Sequence, residues 1–474
     1  MQYEFPHFTI DRRNFLKGSN TFEHYPDGEF LFSQSGYNTF SKPGLLANVP
    51  SYGSTVDGSL PIGIGISWAQ GLAAGSFAPD SMVVGRNSSD DGTFWTMIES
   101  TGALTQVGSA DTSHDYVLGK TDTVFYKGSF YTTSATDMTK NSVDLATRDT
   151  SWWVTTKSQS SLNSAAPHPQ VVFGDIRYIA DGHVLHQDDN GTVQAAVFDL
   201  GSDWVITALR VYNNQIYIAA EPYYNFSGTY SGGAKIFTWN GYSDSWLEEY
   251  YVGERINAFF DFKNVLYVWT PNYVGYFTGT TIDPLYPVNN KVTWSQIMAT
   301  SDSMWYVDGT QIVRFGSPFL KGKKTFNRFF ETVSAGNGLL SPTSEAALIL
   351  SSGVSNGSNF YVADVNGTPS GNWSFRGNPR QFPKPVRIRA YVFHTLSLAS
   401  GYVELAYYND AGALVGTKRF TASDAAMINK SSWRFDVLGG APTVSFDPYI
   451  TIAGVPYLRS IDVLYEGSET KQNA

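Results

Sequence analysis

Three pairs of adjacent carboxylates are the first candidates for chemistry. Glycoside hydrolysis uses two such groups on facing elements, about 5 to 9.5 Å apart. The adjacent pairs in this sequence are Asp90/Asp91, Asp188/Asp189 and Glu248/Glu249. Neighbouring residues of a strand point to opposite faces of the sheet. We therefore expect these pairs to be turn and surface groups, and not a catalytic dyad.

Histidine, serine and glycine patterns also predict no reactive centre. His183 and His186 are three residues apart, which in a strand places them on opposite faces, and the other five histidines are scattered. The sequence contains no Gly-x-Ser-x-Gly segment and no glycine-rich phosphate loop before a helix. We therefore predict no catalytic residue, no metal site and no cofactor.

The segment NSSDDGTFW, residues 87–95, has the spacing of a known hairpin signature. It carries Ser88, Asp90, Gly92 and Trp95 in the order Ser-x-Asp-x-Gly followed by an aromatic residue. This order resembles the Asp-box of sialidases and related propeller proteins. The carboxylate accepts backbone N–H bonds, glycine takes a conformation that other residues resist, and the indole packs between strands. We interpret the segment as a structural turn.

A second segment, QDDNGTVQ at 187–194, keeps the acidic core of the pattern without Ser and Trp, and we expect it to be the same turn two blades later. The resemblance to sialidases implies an arginine triad, a tyrosine nucleophile with a carboxylate base, and an acidic aspartate. The aromatic-Arg-Ile-Pro stretch that such enzymes carry near the start does not occur. We therefore expect a non-enzymatic protein, with a glycoside hydrolase as the alternative.

A hairpin pattern repeats along the middle of the chain. Segments that begin at Ile206, Ile256 and Ser295 each contain an apolar strand, a short polar turn and a second strand with an aromatic residue. Aligning the second strands defines one slot that recurs every 39 to 50 residues: Val84, Tyr131, Tyr178, Tyr217, Tyr267, Tyr306 and Leu348. This period is the length of a four-stranded propeller blade. The sequence predicts an all-β fold with a six- or seven-bladed β-propeller over residues 46–375, and a large β-sandwich is the alternative.

The flanking regions have different patterns. Residues 380–467 contain longer alternating strands and predict a C-terminal β-sandwich, followed by a short tail at 468–474. Residues 1–45 carry aromatic and basic clusters without a clear partner strand, so they predict an extended arm that leads into the first blade. Such an arm gains stability only by lying against its own propeller or a neighbour.

Composition excludes several classes of protein. The chain has no cysteine, so disulfides and thiolate metal sites are excluded. Its formal net charge of -10 argues against a general nucleic-acid binder. No apolar run approaches the roughly 20 residues of a membrane-spanning helix, and no signal peptide is evident. We expect a soluble protein with neither a nucleic-acid nor a membrane partner.

An insertion after the strand of Tyr217 concentrates aromatic residues in a predicted loop, residues 221–234. Its candidate contact residues are Tyr223, Tyr224, Phe226 and Tyr230. Aromatic side chains on loops make contacts at low entropic cost. They could stack on sugars or on a protein partner, and packing against the chain's own propeller is the equal alternative.

Residues 26–44, PDGEFLFSQSGYNTFSKPG, resemble the opening of propeller-type structural proteins of tailed bacteriophages. The matching features are an acidic-Gly turn at 27–29, an apolar strand at 30–32 and a Lys-Pro-Gly turn at 42–44. The resemblance implies a structural component of a virion, in its tail, neck or surface, that assembles in the host cytoplasm. Its partners would be other virion proteins and copies of itself.

In that interpretation the aromatic and basic residues of the arm would contact a neighbouring subunit: Phe5, Phe8, Arg12, Arg13 and Phe15. The alternative function is a glycan-binding or sialidase-like propeller that recognises or cleaves host surface sugars. The 221–234 loop would then supply the contacts.

Overall fold

The computed structural model describes these residues: 6–10, 32–33, 55–57, 62–68, 81–86, 91–98, 103–106, 111–115, 120, 122–127, 129–133, 137–142, 154–160, 162–163, 165–189, 192–223, 232–289, 291–299, 303–308, 311–316, 325–331, 340–344, 347–352, 359–364, 372–376, 380–409, 411–424, 432–437 and 442–467. Strands make up nearly all of their secondary structure. None of the helical segments in these ranges is long and apolar enough to cross a lipid bilayer.

The strands before residue 165 are β1 (His7–Ile10), β2 (Phe32–Ser33), β3 (Thr55–Asp57), β4 (Ile62–Trp68), β5 (Ser81–Arg86), β6 (Asp91–Ile98), β7 (Ala103–Gln106), β8 (Asp111–Asp115), β9 (Thr123–Tyr126), β10 (Ser129–Thr133), β11 (Asp137–Ser142) and β12 (Val154–Ser160). The next are β13 (Gln170–Phe173), β14 (Ile176–Asp181), β15 (Val184–Asp189), β16 (Thr192–Asp199), β17 (Trp204–Tyr212), β18 (Gln215–Pro222), β19 (Gly232–Trp239), β20 (Glu248–Glu254), β21 (Ala258–Phe262), β22 (Val265–Trp269), β23 (Tyr273–Phe277) and β24 (Ile282–Pro287). After a 3₁₀ helix, Trp294–Gln296, follow β25 (Ile297–Ala299), β26 (Ser303–Asp308), β27 (Gln311–Gly316), β28 (Thr325–Glu331), β29 (Leu340–Ser344), β30 (Ala347–Ser352), β31 (Asn359–Asp364), β32 (Asn372–Arg376), β33 (Arg380–Tyr408), β34 (Leu414–Thr421), β35 (Ser432–Asp436) and β36 (Thr443–Gly467).

The chain divides into two compact units. The middle unit comprises Gly53–Thr310 and Thr332–Val362, and the terminal unit comprises Met1–Tyr52, Gln311–Glu331 and Ala363–Ala474. The terminal unit thus joins the two ends of the chain. The middle unit covers most of the region predicted as a propeller.

Small antiparallel sheets of consecutive strands form the middle unit. Among the described residues, sheets of four consecutive strands include β9–β12, β13–β16, β17–β20 and β21–β24, and another sheet joins β4–β7 with β8 on its β6 strand. Another sheet contains β29, β30 and β31 and is completed by β3, with Thr55 opposite Tyr361. A strand from the start of the unit therefore completes the sheet at its end.

The first strands of successive sheets contact one another. Contacts join β4 to β9, β9 to β13, β13 to β17 and β17 to β21, and β25 contacts β29. A succession of four-stranded meanders with neighbouring first strands is typical of a propeller. The all-β fold of many small antiparallel sheets agrees with the sequence-based prediction.

Backbone conformation explains why the predicted hairpins form. Asn213 and Asn214, between β17 and β18, have φ angles of 47° and 58°. Lys263 and Asn264, between β21 and β22, have φ angles of 51° and 59°. Two successive left-handed residues make the tight turn whose twist matches that of the flanking strands, and asparagine tolerates this conformation well. These polar pairs are the turns expected from the repeat.

The aligned slot of the repeat is the second strand of each sheet. Its tyrosines lie on β10, β14, β18, β22 and β26, and all five are buried: Tyr131, Tyr178, Tyr217, Tyr267 and Tyr306. Val84 and Leu348 lie on the second strands β5 and β30. The rings also connect sheets, since Trp269 and Tyr306 pack edge to face with centroids 5.6 Å apart. The repeat marks interior packing positions.

The Asp-box segment lies at a hairpin between the second and third strands of its sheet. Gly92 and Trp95 are on β6, with Arg86 of β5 opposite Gly92, whereas Ser88 and Asp90 lie outside the described residues. The segment 187–194 instead spans the third and fourth strands, β15 and β16. The expectation that it repeats the same turn was wrong, because acidic and glycine residues suit a tight turn at any position of a sheet.

In the terminal unit, the C-terminal region forms one seven-stranded sheet built on two long strands. Along β33 and β36, Arg387 lies opposite Glu466 and Tyr408 opposite Asp447. Strands β34 and β35 pair with β33, β1 and β32 pair with β36, and β2 pairs with β32. One hydrophobic cluster forms its core, including Tyr391, Phe393, Leu405, Phe420, Phe446, Ile450 and Ile461.

Part of the predicted arm belongs to this sheet. His7 of β1 lies opposite Leu464, and Ile10 lies opposite Ile461. The ring of Phe8 lies 5.4 Å from that of Phe446, and Ile10 is buried in the core cluster. The arm was expected to lie on its own propeller or on a neighbour, but this strand adds to the chain's own C-terminal sheet because that sheet offers both edge hydrogen bonds and an apolar surface.

Candidate functional site

Charged and polar residues gather at one edge of the middle unit. In a meander, the first strand begins and the second strand ends at the same edge of the sheet. Residues at such ends form a set that we call the polar cluster: Lys120, Asp122, Glu221, Arg255, Asn257, Lys291 and Trp294. Asp122 and Asn257 directly precede the first strands β9 and β21, Lys120, Arg255, Lys291 and Trp294 lie three to six residues before a first strand, and Glu221 lies near the end of β18.

The Glu221 carboxylate is a buried charge of the polar cluster. It is 1% exposed, and its Oε1 lies 3.0 Å from Nη1 of Arg255. Burial raises the pKa of Glu221, while Arg255 and Lys291 act to lower it. The negative charge of Glu221 therefore depends on two cations contributed by other segments.

Lys291 is an exposed cation of the polar cluster with an unusual pKa, since it lies at the surface before β25 and its pKa is lowered. The Lys291 side chain is accessible to solvent. Desolvation by the surrounding protein nevertheless lowers its pKa to about 8. The charges of Arg255 and Lys120 also lower this pKa, whereas the charge of Glu221 raises it. Among the described residues Lys291 has no ion pair within 4.0 Å. The site therefore contains an ammonium group whose charged form is disfavoured by desolvation and by neighbouring cations.

Asn257 supplies an unpaired amide. The residue is 3% exposed, and its backbone N–H donates to the carbonyl oxygen of Trp269 at 2.8 Å. Neither Nδ2 nor Oδ1 of its side chain has a hydrogen-bond partner among the described residues. A buried polar group without a partner costs about 1 to 3 kcal/mol, so its presence requires an explanation. The amide nitrogen and the amide oxygen of Asn257 are thus both unsatisfied in the interior.

Asp122 is a carboxyl group held by backbone N–H donors. Thr123 donates to Oδ1 at 2.8 Å and Gln170 donates to Oδ2 at 2.7 Å. Burial nevertheless raises the pKa of Asp122 to about 7, with these hydrogen bonds and Arg210 opposing the rise. The indole of Trp294 also lowers the pKa of Asp122, so the two groups lie near each other. The indole N–H nevertheless has no hydrogen-bond partner of good geometry.

A series of buried hydrogen bonds connects Asp122 to Arg177 in the interior of the sheets. Gln170 Nε2 donates to the carbonyl oxygen of Asp122 at 2.9 Å, and Gln170 Oε1 accepts from Nη1 of Arg177 at 2.6 Å. Arg177 pairs with Asp188 and stacks on the Tyr131 ring, 4.2 Å from its centroid. The expectation that Asp188 is a surface group was wrong, because Arg177 neutralises its charge in the interior.

The histidines of this region bind carboxylates. His186 Nε2 lies 3.3 Å from Oδ2 of Asp181, and His168 Nε2 lies 3.6 Å from Oδ1. His183 instead pairs with Asp199 at 2.6 Å. Within the part of the chain that the structure describes, no three His, Asp or Glu side chains are placed to hold a metal ion. These contacts connect strands and loops.

The predicted contact loop leaves β18 beside the polar cluster. Tyr223 follows Glu221 by two residues, is 57% exposed and donates its backbone N–H to the carbonyl oxygen of Asp203 at 2.8 Å. Tyr224, Phe226 and Tyr230 lie outside the described residues. The arm residues Phe5, Arg12, Arg13 and Phe15 also lie outside them, and Phe8 is in the terminal unit.

Sequence reasoning missed the polar cluster. The repeat was aligned on the second strands, whereas most residues of the polar cluster precede the first strands. A signal was nevertheless present: Asn257 directly precedes the apolar strand of its hairpin, and Lys120 and Lys291 precede others. Comparing those positions between sheets would have grouped the polar residues at one edge.

Comparisons with known proteins give only distant likenesses. No protein-family model matches the sequence, and no curated protein matches it. An exo-β-1,3-galactanase from Phanerochaete chrysosporium is 12% identical with a TM-score of 0.31, covering 88% of this chain and 100% of that chain. Saccharomyces cerevisiae Sqt1 is 9% identical with a TM-score of 0.41, covering 67% and 99%. Kluyveromyces lactis Hsv2p is 9% identical with a TM-score of 0.37, covering 76% and 99%. At these values the likenesses assign no activity to this chain.

Proposed function

We propose that the chain is a seven-bladed β-propeller protein that binds carbohydrate at the polar cluster. Each four-stranded sheet of the middle unit would be one blade, and the hairpin of β25 and β26 would begin a further blade. The sheet that combines β29–β31 with β3 would be the last blade. Its mixed origin supports the proposal, because joining the two ends of the unit in one sheet removes exposed strand edges.

The observation that carries the binding proposal is the buried, unpaired amide of Asn257. A sugar hydroxyl both donates and accepts hydrogen bonds, so it satisfies the amide N–H and the amide oxygen alike. Binding sites place a few such polar groups on a concave surface. Arg255, two residues before Asn257 in the chain, and its partner Glu221 offer further donors and acceptors, and Trp294 and Tyr223 offer aromatic rings for the apolar face of a sugar.

Binding without hydrolysis is the simpler function for these groups. The described carboxylates of the polar cluster are already engaged, Glu221 with Arg255 and Asp122 with backbone N–H groups. A glycoside hydrolase needs one carboxyl as a proton donor and a second facing it across the scissile bond. Hydrolysis is therefore the alternative, and product analysis of bound glycans distinguishes it from binding.

A glycan array probed with the full chain tests the proposal. We expect binding by the wild type and its loss in Asn257→Ala and in the double variant Tyr223→Ala, Tyr230→Ala. Asn257→Ala should keep its thermal stability, because the substitution removes an unsatisfied polar group. The matched control is Asn272→Ala, which changes an exposed amide bonded to Glu254. Unchanged binding by Asn257→Ala would remove the polar cluster as the site.

Assembly into a phage particle is the second candidate function. Large apolar side chains are exposed at the outer strand of one sheet and the turn before it: Tyr242, Trp246, Leu247 and Tyr251. Grouped exposed apolar residues are typical of protein–protein contacts, here with a second copy of the chain. Quantitative mass spectrometry of density-purified particles tests this role. Recovery in a fixed ratio to the major capsid protein supports it, and absence from particles removes it.

A further inference from the structure

We infer that the outer strand β20 of one copy of the chain binds the basic segment 12–17 of a second copy as an added strand. This inference rests on the self-assembly proposed above as the second candidate function, and it names the two surfaces that meet. It is independent of carbohydrate binding at the polar cluster. The edge, the apolar side chains and the charges of β20 and of the turn before it carry the inference.

Strand β20 is an open edge of its sheet. It pairs with β19 on one side, and among the described residues no strand pairs with its other side. The pairing is regular over residues 248–251, where Lys235 lies opposite Tyr251. The outer strand of the next sheet, β24, instead contains Pro284 and Pro287, which disfavour the addition of a strand. Residues 248–251 therefore offer backbone N–H and carbonyl groups to a further strand.

The turn before β20 holds its aromatic side chains in a fixed arrangement. Oδ1 of Asn240 accepts the backbone N–H groups of Tyr242 and Ser243 at 3.1 and 2.9 Å. The ring of Trp246 packs edge to face on the buried ring of Phe237, with centroids 5.3 Å apart. Tyr242 is nevertheless 84% exposed. The exposed apolar surface is thus preformed, which lowers the entropy cost of binding a partner.

The surface of this strand and turn is acidic. Residues 242–251 contain three exposed carboxylates, Asp244, Glu248 and Glu249, and no lysine or arginine. Successive residues of a strand point to opposite faces, so β20 carries a glutamate on each face. Glu249 pairs with Lys235 at 3.1 Å, whereas the other two carboxylates have no ion pair within 4.0 Å among the described residues. A segment that binds here should therefore be both basic and apolar.

The β20 strand of a second copy does not have this composition. Two acidic strands side by side would bring like charges together, and such pairs are destabilising. The formal net charge of -10 adds a general repulsion between copies. Contact between copies through β20 therefore needs a different, basic surface on the second copy.

The segment RRNFLK, residues 12–17, has the required composition. It contains two arginines and a lysine together with Phe15 and Leu16. In a parallel alignment, RRNF would match EEYY at 248–251 position by position, with the arginines opposite the glutamates and Phe15 opposite Tyr251. Opposite charges and aromatic rings on neighbouring strands attract each other. Because the two surfaces differ, the contact is heterologous and can extend into a ring or an array.

Sedimentation velocity of the full chain at low salt tests the inference. We expect the wild type to self-associate and the double variant Arg12→Glu, Arg13→Glu to associate about tenfold more weakly or less. Glu248→Arg, Glu249→Arg should weaken association by a similar factor, because either change places like charges on the two surfaces. Unchanged melting temperatures of both variants would show that they are folded.

Charge exchange gives a readout that loss of folding cannot mimic. The variant with all four substitutions should recover self-association, because its two surfaces again have opposite charges. An equimolar mixture of the two double variants should also associate, since each supplies the surface that the other needs. The matched control, Lys321→Glu, Lys323→Glu, reverses a second basic spot of the chain and should leave association unchanged.

Three results would overturn the inference. The first is undiminished association of Arg12→Glu, Arg13→Glu, which would leave self-assembly standing through another surface. The second is failure of the fourfold variant to recover association when the wild type associates. The third is a wild type that stays monomeric at about 100 μM, and in that case the self-assembly proposal falls as well. Glycan binding that depends on Asn257 is decided separately from all three.

Discussion

Nε of Arg177 lies 3.0 Å from Oδ2 of Asp188, and neither side chain is exposed to solvent. The two residues lie directly opposite each other on β14 and β15. Arg177 also contacts Tyr131 on β10, so the ion pair connects two sheets of the middle unit. Through Gln170 it reaches Asp122, which makes the interior of the unit continuous with the polar cluster.

Removing one partner of this pair should strongly destabilise the middle unit. Asp188→Asn leaves a buried guanidinium without its counter-ion, and such changes cost about 3 to 5 kcal/mol. The double variant Arg177→Met, Asp188→Leu should recover most of the loss because it removes both charges. Urea unfolding gives the free energies. As a control, Lys235→Met breaks the more exposed pair with Glu249 and should cost less than about 1 kcal/mol. If Asp188→Asn and Lys235→Met lose similar amounts of unfolding free energy, the larger cost predicted for the buried pair is wrong.

Asp122 should make stability fall as the pH rises toward neutrality. Its pKa is raised from 3.8 to about 7 by burial, so the folded state binds the proton more tightly than the unfolded state. The stabilisation is fully present below about pH 4 and is lost as the pH rises through 7. We expect the unfolding free energy of the wild type to fall relative to that of Asp122→Asn between pH 4.5 and 8. Parallel pH profiles of the two proteins would contradict this.

Phe8 should stabilise the C-terminal sheet. Its ring packs on Phe446, Phe382 and Tyr465, so Phe8→Ala should cost about 2 to 3 kcal/mol of unfolding free energy. Limited proteolysis should show faster cleavage after residue 363, with little change in the middle unit. Leu414→Ala is the control, because it truncates an exposed apolar side chain of the same unit. Equal protease resistance of the wild type and Phe8→Ala would mean that the strand is dispensable.

Gly275 should not tolerate a side chain. A Cβ atom there would lie 2.6 Å from the backbone oxygen of Asp283 and 2.6 Å from Cγ2 of Ile282, and the backbone cannot move aside as a side-chain tip could. Gly275→Ala should therefore destabilise the β23–β24 pair by about 1 to 3 kcal/mol. Gly467→Ala, where a Cβ meets nothing within 4 Å, should leave the melting temperature unchanged. Matching melting temperatures for both variants would contradict the clash.

Local patterns carried much of the fold prediction. The Asn213–Asn214 and Lys263–Asn264 turns could be predicted because two polar residues between apolar strands favour one tight turn. The recurring tyrosines could be aligned because five sheets use the same buried position of their second strands. These features depend on a few neighbouring residues, so the sequence contains them directly.

Long-range pairing could not be predicted in the same way. Strand β3 completes a sheet whose other strands begin at residue 340, and β1 pairs with a strand that ends at residue 467. Short strands such as Thr55–Asp57 carry too little periodicity to specify a distant partner. The segment 187–194 was assigned to the wrong hairpin for another reason, because its acidic and glycine residues suit a tight turn at any position of a sheet.

The all-β chain, the period of its hairpins and the buried face of their second strands follow from local sequence, because side-chain alternation and turn chemistry act over a few residues. Which strand ends meet depends on contacts between distant parts of the chain. The tertiary structure brought Glu221 within 3.0 Å of Arg255, surrounded Lys291 with charge from three other segments, and left the Asn257 amide unpaired. Burial, ion pairing and hydrogen-bond satisfaction depend on groups far apart in the chain, so the polar cluster exists only once the sheets have assembled.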